Sequence, residues 1–292
     1  MKKSLIFINC LILLLSMFTN VAYAKSDSMV YDIDPPKYES EIALLVNVDT
    51  DTVIYSKNAD KITAPASLTK IVTALVVLDK GDPLSKKITC SKKAIDSILG
   101  TGSSIAGLYA GEKTTLEMLL YCLFLPSAND AAAVLAYHYG ESDEQKFVDA
   151  MNEYVKNLGC ENTYFSNPHG LDDESTKGFD SDKQSRTTAN DMYLIAKHAL
   201  KNETIKKISS KYGKTMPKTN KSDVRYLYNT NPLLNDYSYY YYPGATGLKT
   251  GTTDKAGNCL ISSATKNGYT YISIAMKGVN NYYLDGEARN TA

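Results

Sequence analysis

The order of patterns along this chain predicts an α+β fold, in which an antiparallel sheet of N- and C-terminal strands is flanked by a helical cluster from the middle of the sequence. Three observations carry that expectation. β-rich runs open the chain at 41–47 and 53–55, helical periodicities occupy 67–80, 116–123, 129–139, 144–158 and 189–201, and β-rich runs return at 247–250, 258–264 and 269–277. With 292 residues and 43% apolar content, the chain is long enough to bury a sizeable core.

In chain order, residues 1–24 read as an export signal: Lys2 and Lys3 precede an apolar Leu5–Phe18 run, and Ala22-Tyr-Ala24 is a small-x-small cleavage site. The mature protein is expected to begin near Lys25 and to work outside the cytoplasm. Residues 25–38, with Pro35-Pro36, read as an extended lead-in, and 39–292 as one domain. Asp49-Thr-Asp51 is the expected turn of a first hairpin. The block from Ser67 to Lys80 has almost no polar face, so it is predicted to be a helix buried in the middle of the protein. Lys266-Asn-Gly268 is the expected turn between the last two strands.

Charge and composition exclude several classes of function. Lysine plus arginine equals aspartate plus glutamate at 32 each, and loss of the two leader lysines leaves acids in slight excess, which argues against nucleic acid as a partner. His138, His169 and His198 are far apart and lack a His-Glu-x-x-His frame, so no metal is expected. Cys90, Cys122, Cys160 and Cys259 are scattered without metal-ligand spacing and read as buried small hydrophobes. Gly247-Leu-Lys-Thr-Gly251 is not a phosphate loop, because Leu248 separates glycine from lysine. No cofactor is called for. The chain has 23 tyrosines and no tryptophan, and the Tyr239–Tyr242 run is expected to be a loop on the surface.

Three short motifs carry the chemistry. Ala64-Pro65-Ala66 places Ser67 at the start of a helix, where free N–H groups and the positive end of the helix dipole favour a developing anion. Lys70, three residues on, lies on the same face; in apolar surroundings its amine loses preference for its charge and is suited to act as a base. Ser127-Ala-Asn129 falls on a connection between two helices, where a hydroxyl can relay a proton and an amide can orient both Lys70 and a substrate amide. Lys249-Thr250-Gly251 lies on a strand, where a lysine and a hydroxyl make a site for a carboxylate and Gly251 permits close backbone approach. The N–H groups of Ser67 and Thr252 are placed to form an oxyanion hole.

The trio resembles that of the serine β-lactamases and penicillin-binding proteins. Longer blocks extend the resemblance to the low-molecular-mass penicillin-binding proteins, the serine-type D-Ala-D-Ala carboxypeptidases: Ala64–Lys70, Pro126–Ala132, Asn162–Leu171, Thr187–Asp191 and Gly247–Thr252. This implies a β-lactamase/transpeptidase-like fold. It also implies Ser67 as nucleophile, Lys70 as general base, Ser127 as proton relay, Asn129 as orienter, and Lys249 with Thr250 as carboxylate clamp. His169 and Gly170 read as a structural loop. The implied partners are the D-Ala-D-Ala end of a peptidoglycan pentapeptide and β-lactam antibiotics. A β-lactamase, or a penicillin-binding sensor without turnover, is the alternative; the class A β-lactamase pattern has aspartate where Ala128 stands, and neither Glu161 nor Glu174 sits in a suitable glutamate frame. Family members usually continue into a closing helix and often a β-rich domain and an amphipathic anchor, whereas the sequence ends at Ala292, so no C-terminal membrane anchor is expected in this chain.

Overall fold

The computed structural model describes residues 39–279; the export signal and lead-in expected at 1–38 lie outside them. A five-stranded antiparallel sheet has the order β2-β1-β9-β8-β7. Strands β1 (Ile42–Asn47) and β2 (Thr52–Lys57) form the N-terminal hairpin, and β7 (Ala245–Thr253), β8 (Gly257–Lys266) and β9 (Tyr269–Gly278) form the C-terminal meander. The two ends of the chain meet where β1 pairs with β9 through Leu44 and Ile274. Ile42, Leu44 and Val46 alternate onto one buried face, as a period of two requires. Strand β7 is left at the edge of the sheet, and this places the Lys249 motif at an open flank.

The helical layer is organised around α1 (Lys70–Leu78), in which every residue from Lys70 to Val77 is buried. The buried central helix was legible, but its start differs from expectation. Residues Ala66–Thr69 form a 3-10 turn, and the α-helix begins only at Lys70. Ala66 has a φ of 47°, and Leu68 N–H closes a tight i→i+3 bond to Pro65 O at 3.2 Å.

Around α1 pack α3 (Leu116–Phe124), α4 (Asn129–Tyr139), α5 (Glu144–Asn157) and α6 (Ala189–Ala199). Helix α5 buries Phe147, Val148, Met151 and Val155, a single stripe at helical spacing. Side chains of Thr115, Asp143 and Thr188 cap α3, α5 and α6 at the positions where the first-turn N–H groups need acceptors.

The sequence did not reveal the short pieces: α2 (Lys92–Asp96), α7 (Glu203–Ser209), and the two-stranded pairs β3 (Lys87–Thr89) with β4 (Lys113–Thr115) and β5 (Gly213–Met216) with β6 (Arg225–Tyr228). All four cysteines named above are free and buried. The tyrosine run lies on the connection between β6 and β7, with Tyr239 exposed and edge-on to Tyr240.

Candidate active site

Ser67 sits within the 3-10 turn, and Lys70 caps that turn and begins α1. In 3-10 geometry residues i and i+3 eclipse, so the two side chains stand one above the other. Lys70 Nζ lies 2.7 Å from Ser67 Oγ and 2.8 Å from the carbonyl oxygen of His169. The lysine is fully buried while Ser67 is only partly so. Burial, and secondarily the charge of Lys249, push the Lys70 amine well below the usual lysine range; Asp130 opposes the shift.

The loop that carries His169 is pinned along α1. Thr73 Oγ1 donates to Pro168 O at 2.6 Å, one turn beyond the contact made by Lys70. Asn167 Oδ1 accepts the N–H groups of His169 and Gly170 at 3.2 and 2.6 Å, which folds the loop back on itself. Gly170 has a φ of 88°, and a Cβ there would lie 1.8 Å from Ala66 O. Only glycine lets this loop close onto the turn that carries Ser67. His169 Nδ1 accepts from Leu171 N–H at 3.2 Å, so the ring proton resides on Nε2, and burial holds the imidazole neutral with a pKa of about 3. Reading His169-Gly170 as a structural loop missed the lysine contact, because a backbone carbonyl leaves no mark in a sequence.

Ser127 and Asn129 lie where α3 hands over to α4. Ser127 adopts a φ of 59° and Asn129 is the first residue of α4. Ala128, the N-cap, offers no side-chain acceptor. Instead Ser104 O takes the Asn129 N–H at 2.8 Å, and Ser104 Oγ donates to Pro126 O at 2.5 Å. Both motif side chains are buried, and Asn129 Oδ1 has no partner among the described residues. Neither side chain makes a direct hydrogen bond to Ser67 or Lys70.

Asp130, to which the sequence reading gave no role, fixes this connection. Its carboxylate accepts N–H groups of Ala106 at 3.0 Å and Leu108 at 2.9 Å. Desolvation raises its pKa, and those backbone donors offset part of the rise. Arg225 holds the same segment by its carbonyls, donating to Gly107 O at 2.6 Å while pairing with the fully buried Glu112. A buried acid next to a serine-asparagine motif was the available signal.

Strand β7 completes the site. The Cα of Gly251 faces Ser67 so closely that an added Cβ would lie 2.9 Å from Ser67 N. Lys249 lies two residues earlier on the same side of the strand, fully buried, with Nζ donating to Thr250 O at 2.8 Å. Burial lowers its pKa to about 7. The hydroxyls of Thr250 and Thr230 are hydrogen-bonded, and Thr230 N–H donates to Leu125 O at 3.1 Å. Thr230, also missed, thus ties β7 to the connection that carries Ser127. Thr252 is exposed beside Gly251, its hydroxyl donating to Asn258 Oδ1 at 3.0 Å. Among the described residues no cluster of three or more metal-ligating side chains occurs.

The sequence pattern described as D-alanyl-D-alanine carboxypeptidase matches residues 29–280. The chain is 35% identical over 241 residues to the D-alanyl-D-alanine carboxypeptidase of Streptomyces sp. (strain K15), covering 79% of this chain and 78% of that protein. It is 34% identical over 262 residues to the D-alanyl-D-alanine carboxypeptidase DacF of Bacillus subtilis, covering 90% of this chain but only 63% of the relative's length. The crystal structure of the Streptomyces K15 DD-transpeptidase superposes with a TM-score of 0.75 at 32% identity, covering 85% of this chain and 93% of the other. The chain therefore belongs to the D-alanyl-D-alanine carboxypeptidase family of serine hydrolases, with the penicillin-binding fold.

Proposed function

We propose that this protein is a serine-type D-Ala-D-Ala carboxypeptidase that removes the terminal D-alanine from peptidoglycan pentapeptide and is acylated by β-lactams at the same serine. The observation that carries the reading is the 2.7 Å approach of a buried Lys70 amine to the Ser67 hydroxyl. Neutral Lys70 donates to His169 O and turns its lone pair to the Ser67 O–H, which then donates to it.

Ser67 Oγ attacks the carbonyl of the penultimate residue as its proton passes to Lys70. The N–H groups of Ser67 and Thr252 stabilise the oxyanion. The C–N bond then breaks, Ser127 relays the proton to the leaving amine, and D-alanine departs. Water, deprotonated by Lys70, hydrolyses the ester and restores Ser67. Asn129, with an unsatisfied buried acceptor, orients the substrate amide.

Lys249 and Thr250 take the substrate carboxylate. With its pKa lowered by burial to about 7, Lys249 is driven toward its charged form when a carboxylate arrives. That charge in turn favours loss of the proton from Lys70. We place the activity outside the cytoplasmic membrane, following the leader expected at 1–24; no described helix is long and apolar enough to cross a membrane.

The test is intact-protein mass spectrometry after penicillin treatment, with D-alanine release from diacetyl-Lys-D-Ala-D-Ala measured in parallel. A stable adduct on the parent and none on Ser67→Ala, with release lost in the variant, is the expected result. An adduct on both proteins, or its rapid loss by hydrolysis from the parent, overturns the reading.

A further inference from the structure

Residues 171–184 form neither helix nor strand, yet both ends of this stretch are fastened. At one end Pro168 O and His169 O accept from Thr73 and Lys70; at the other, Arg186 and Thr187 exchange backbone hydrogen bonds with Tyr164 and Thr63. The middle has little apolar support. Of its two large apolar side chains, Phe179 packs against the core, whereas Leu171 lines a cavity of about 650 Å³ together with Gln145 of α5 and loop residues from Asp172 to Ser175.

What holds the middle is Lys255, in the turn that joins β7 to β8. Its N–H donates to Asp172 Oδ2 at 2.9 Å, and its Nζ donates to Asp173 O, Thr176 O, Thr176 Oγ1 and Gln184 Oε1 at 2.5, 2.7, 3.0 and 2.9 Å. Four acceptors converge on three protons, so the ammonium is spent entirely inside the loop. Gln184, 1% exposed, completes the knot: its Oε1 also accepts Asp173 N–H at 3.0 Å, and its Nε2 donates to Asp172 Oδ1 at 3.1 Å. A lysine at the tip of a turn ordinarily extends its charge into water. This one reaches across to a second segment instead.

The knot joins two parts of the site. Lys255 follows closely on Thr252 at the end of β7, and Asp172 follows closely on His169, whose carbonyl oxygen receives the Lys70 amine at 2.8 Å. We infer, on the function proposed above, that Lys255 is a positioning residue for the reaction: it braces the 169–184 loop so that His169 O stays on Lys70 Nζ and water stays off the base.

The brace has a signature in pH. Burial is the largest cause of the lowered Lys70 pKa, so a loosened loop that admits water returns the amine toward its charged form. The other titratable groups facing Lys70 are Lys249 from β7, Asp130 from α4 and His169 from the loop itself, and all three are unchanged in the variants that test the brace.

The test is the rate of acylation by a fluorescent penicillin, measured across pH for the parent, Lys255→Met and Asp172→Asn, with thermal unfolding to check that each chain is folded. Lys255→Met is expected to acylate at least about tenfold more slowly, with the acid limb of its pH profile at higher pH. Asp172→Asn separates bracing from a plain effect of charge. Both oxygens of Asp172 accept N–H groups, so an amide satisfies only one of them and loosens the knot. Loosening moves the acid limb to higher pH, whereas loss of a negative charge by itself would move it lower. A folded Lys255→Met that acylates within about threefold of the parent, or an Asp172→Asn limb that stays in place or moves lower, overturns the inference. A parent that is acylated but releases no D-alanine from diacetyl-Lys-D-Ala-D-Ala overturns the carboxypeptidase reading instead, and the same acylation rates still decide the brace.

Discussion

Replacing Gly170 by alanine is the sharpest test of how this site is held. The new methyl would meet Ala66 O at 1.8 Å, Ala66 C at 2.4 Å and Thr69 Oγ1 at 2.9 Å, and the residue would have to keep a φ of 88°. Opening the closest contact to about 3.4 Å requires a relative shift of about 1.6 Å between the loop and the turn that contains Ser67. The two closest atoms, both of Ala66, are backbone, so a swing of the Thr69 side chain cannot relieve the clash. A misplacement of about 1 Å at a reacting group costs on the order of 100-fold in rate, and an L-residue at this φ adds about 1–2 kcal/mol of strain. Gly170→Ala is therefore expected to acylate with a fluorescent penicillin at least about 100-fold more slowly. Stopped-flow measurement of acylation gives the rate, and circular dichroism confirms a folded chain. Acylation within about threefold of the parent in a folded variant would refute the claim that the His169-Gly170 loop sets the position of Ser67.

Three further outcomes are expected. Lys249→Gln removes a charge that favours neutral Lys70, so the acid limb of the pH profile for penicillin acylation should move to higher pH; an unmoved limb contradicts the coupling of the two lysines. Arg225→Met strands the fully buried Glu112 without its partner and should cost about 3–5 kcal/mol in urea unfolding, whereas a loss under about 1 kcal/mol would mean the pair is replaceable. His169 keeps a folded pKa of about 3 against an ordinary value of 6.5, so between those limits the unfolded chain binds the extra proton and stability falls as pH falls. The slope attributable to this residue approaches about 1.4 kcal/mol per pH unit; it should be present in the parent and missing from His169→Gln, and so appear as the difference between them in unfolding titrations from pH 6.5 to 4.

The sequence revealed what depends on local period or on reactive side chains. The helix at 144–157 was legible because its Asp143 cap and apolar spacing agree, that at 129–139 from its helical pattern without a side-chain cap, and the buried character of α1 followed from its lack of a polar face. Lys87–Thr89 and Lys113–Thr115 were not, since three residues of mixed polarity carry no period and pair only because the fold brings them together. Within the site, Ser67, Lys70 and Lys249 could be named because their chemistry is unusual in company. The parts that position them act through backbone: His169 gives a carbonyl, Gly170 an absence of side chain, Asp130 an acceptor for a loop some twenty residues upstream. Such roles become readable only when distant segments are adjacent. The start of α1 was misplaced by the same blindness, because the positive φ of Ala66 is imposed by what packs on it and not by alanine's own preference.

Strand β7 lies at the margin of the sheet, and such a margin normally invites the strands of other molecules to zip onto it. Here the turn bearing Ser67 lies over the face of that strand at Gly251, its backbone about 3 Å from where a side chain would begin, so the margin has a floor on one side. A flexible tail that pairs along the margin is thereby laid against the alcohol, and the open strand that other folds must hide becomes here a seat for a short extended segment.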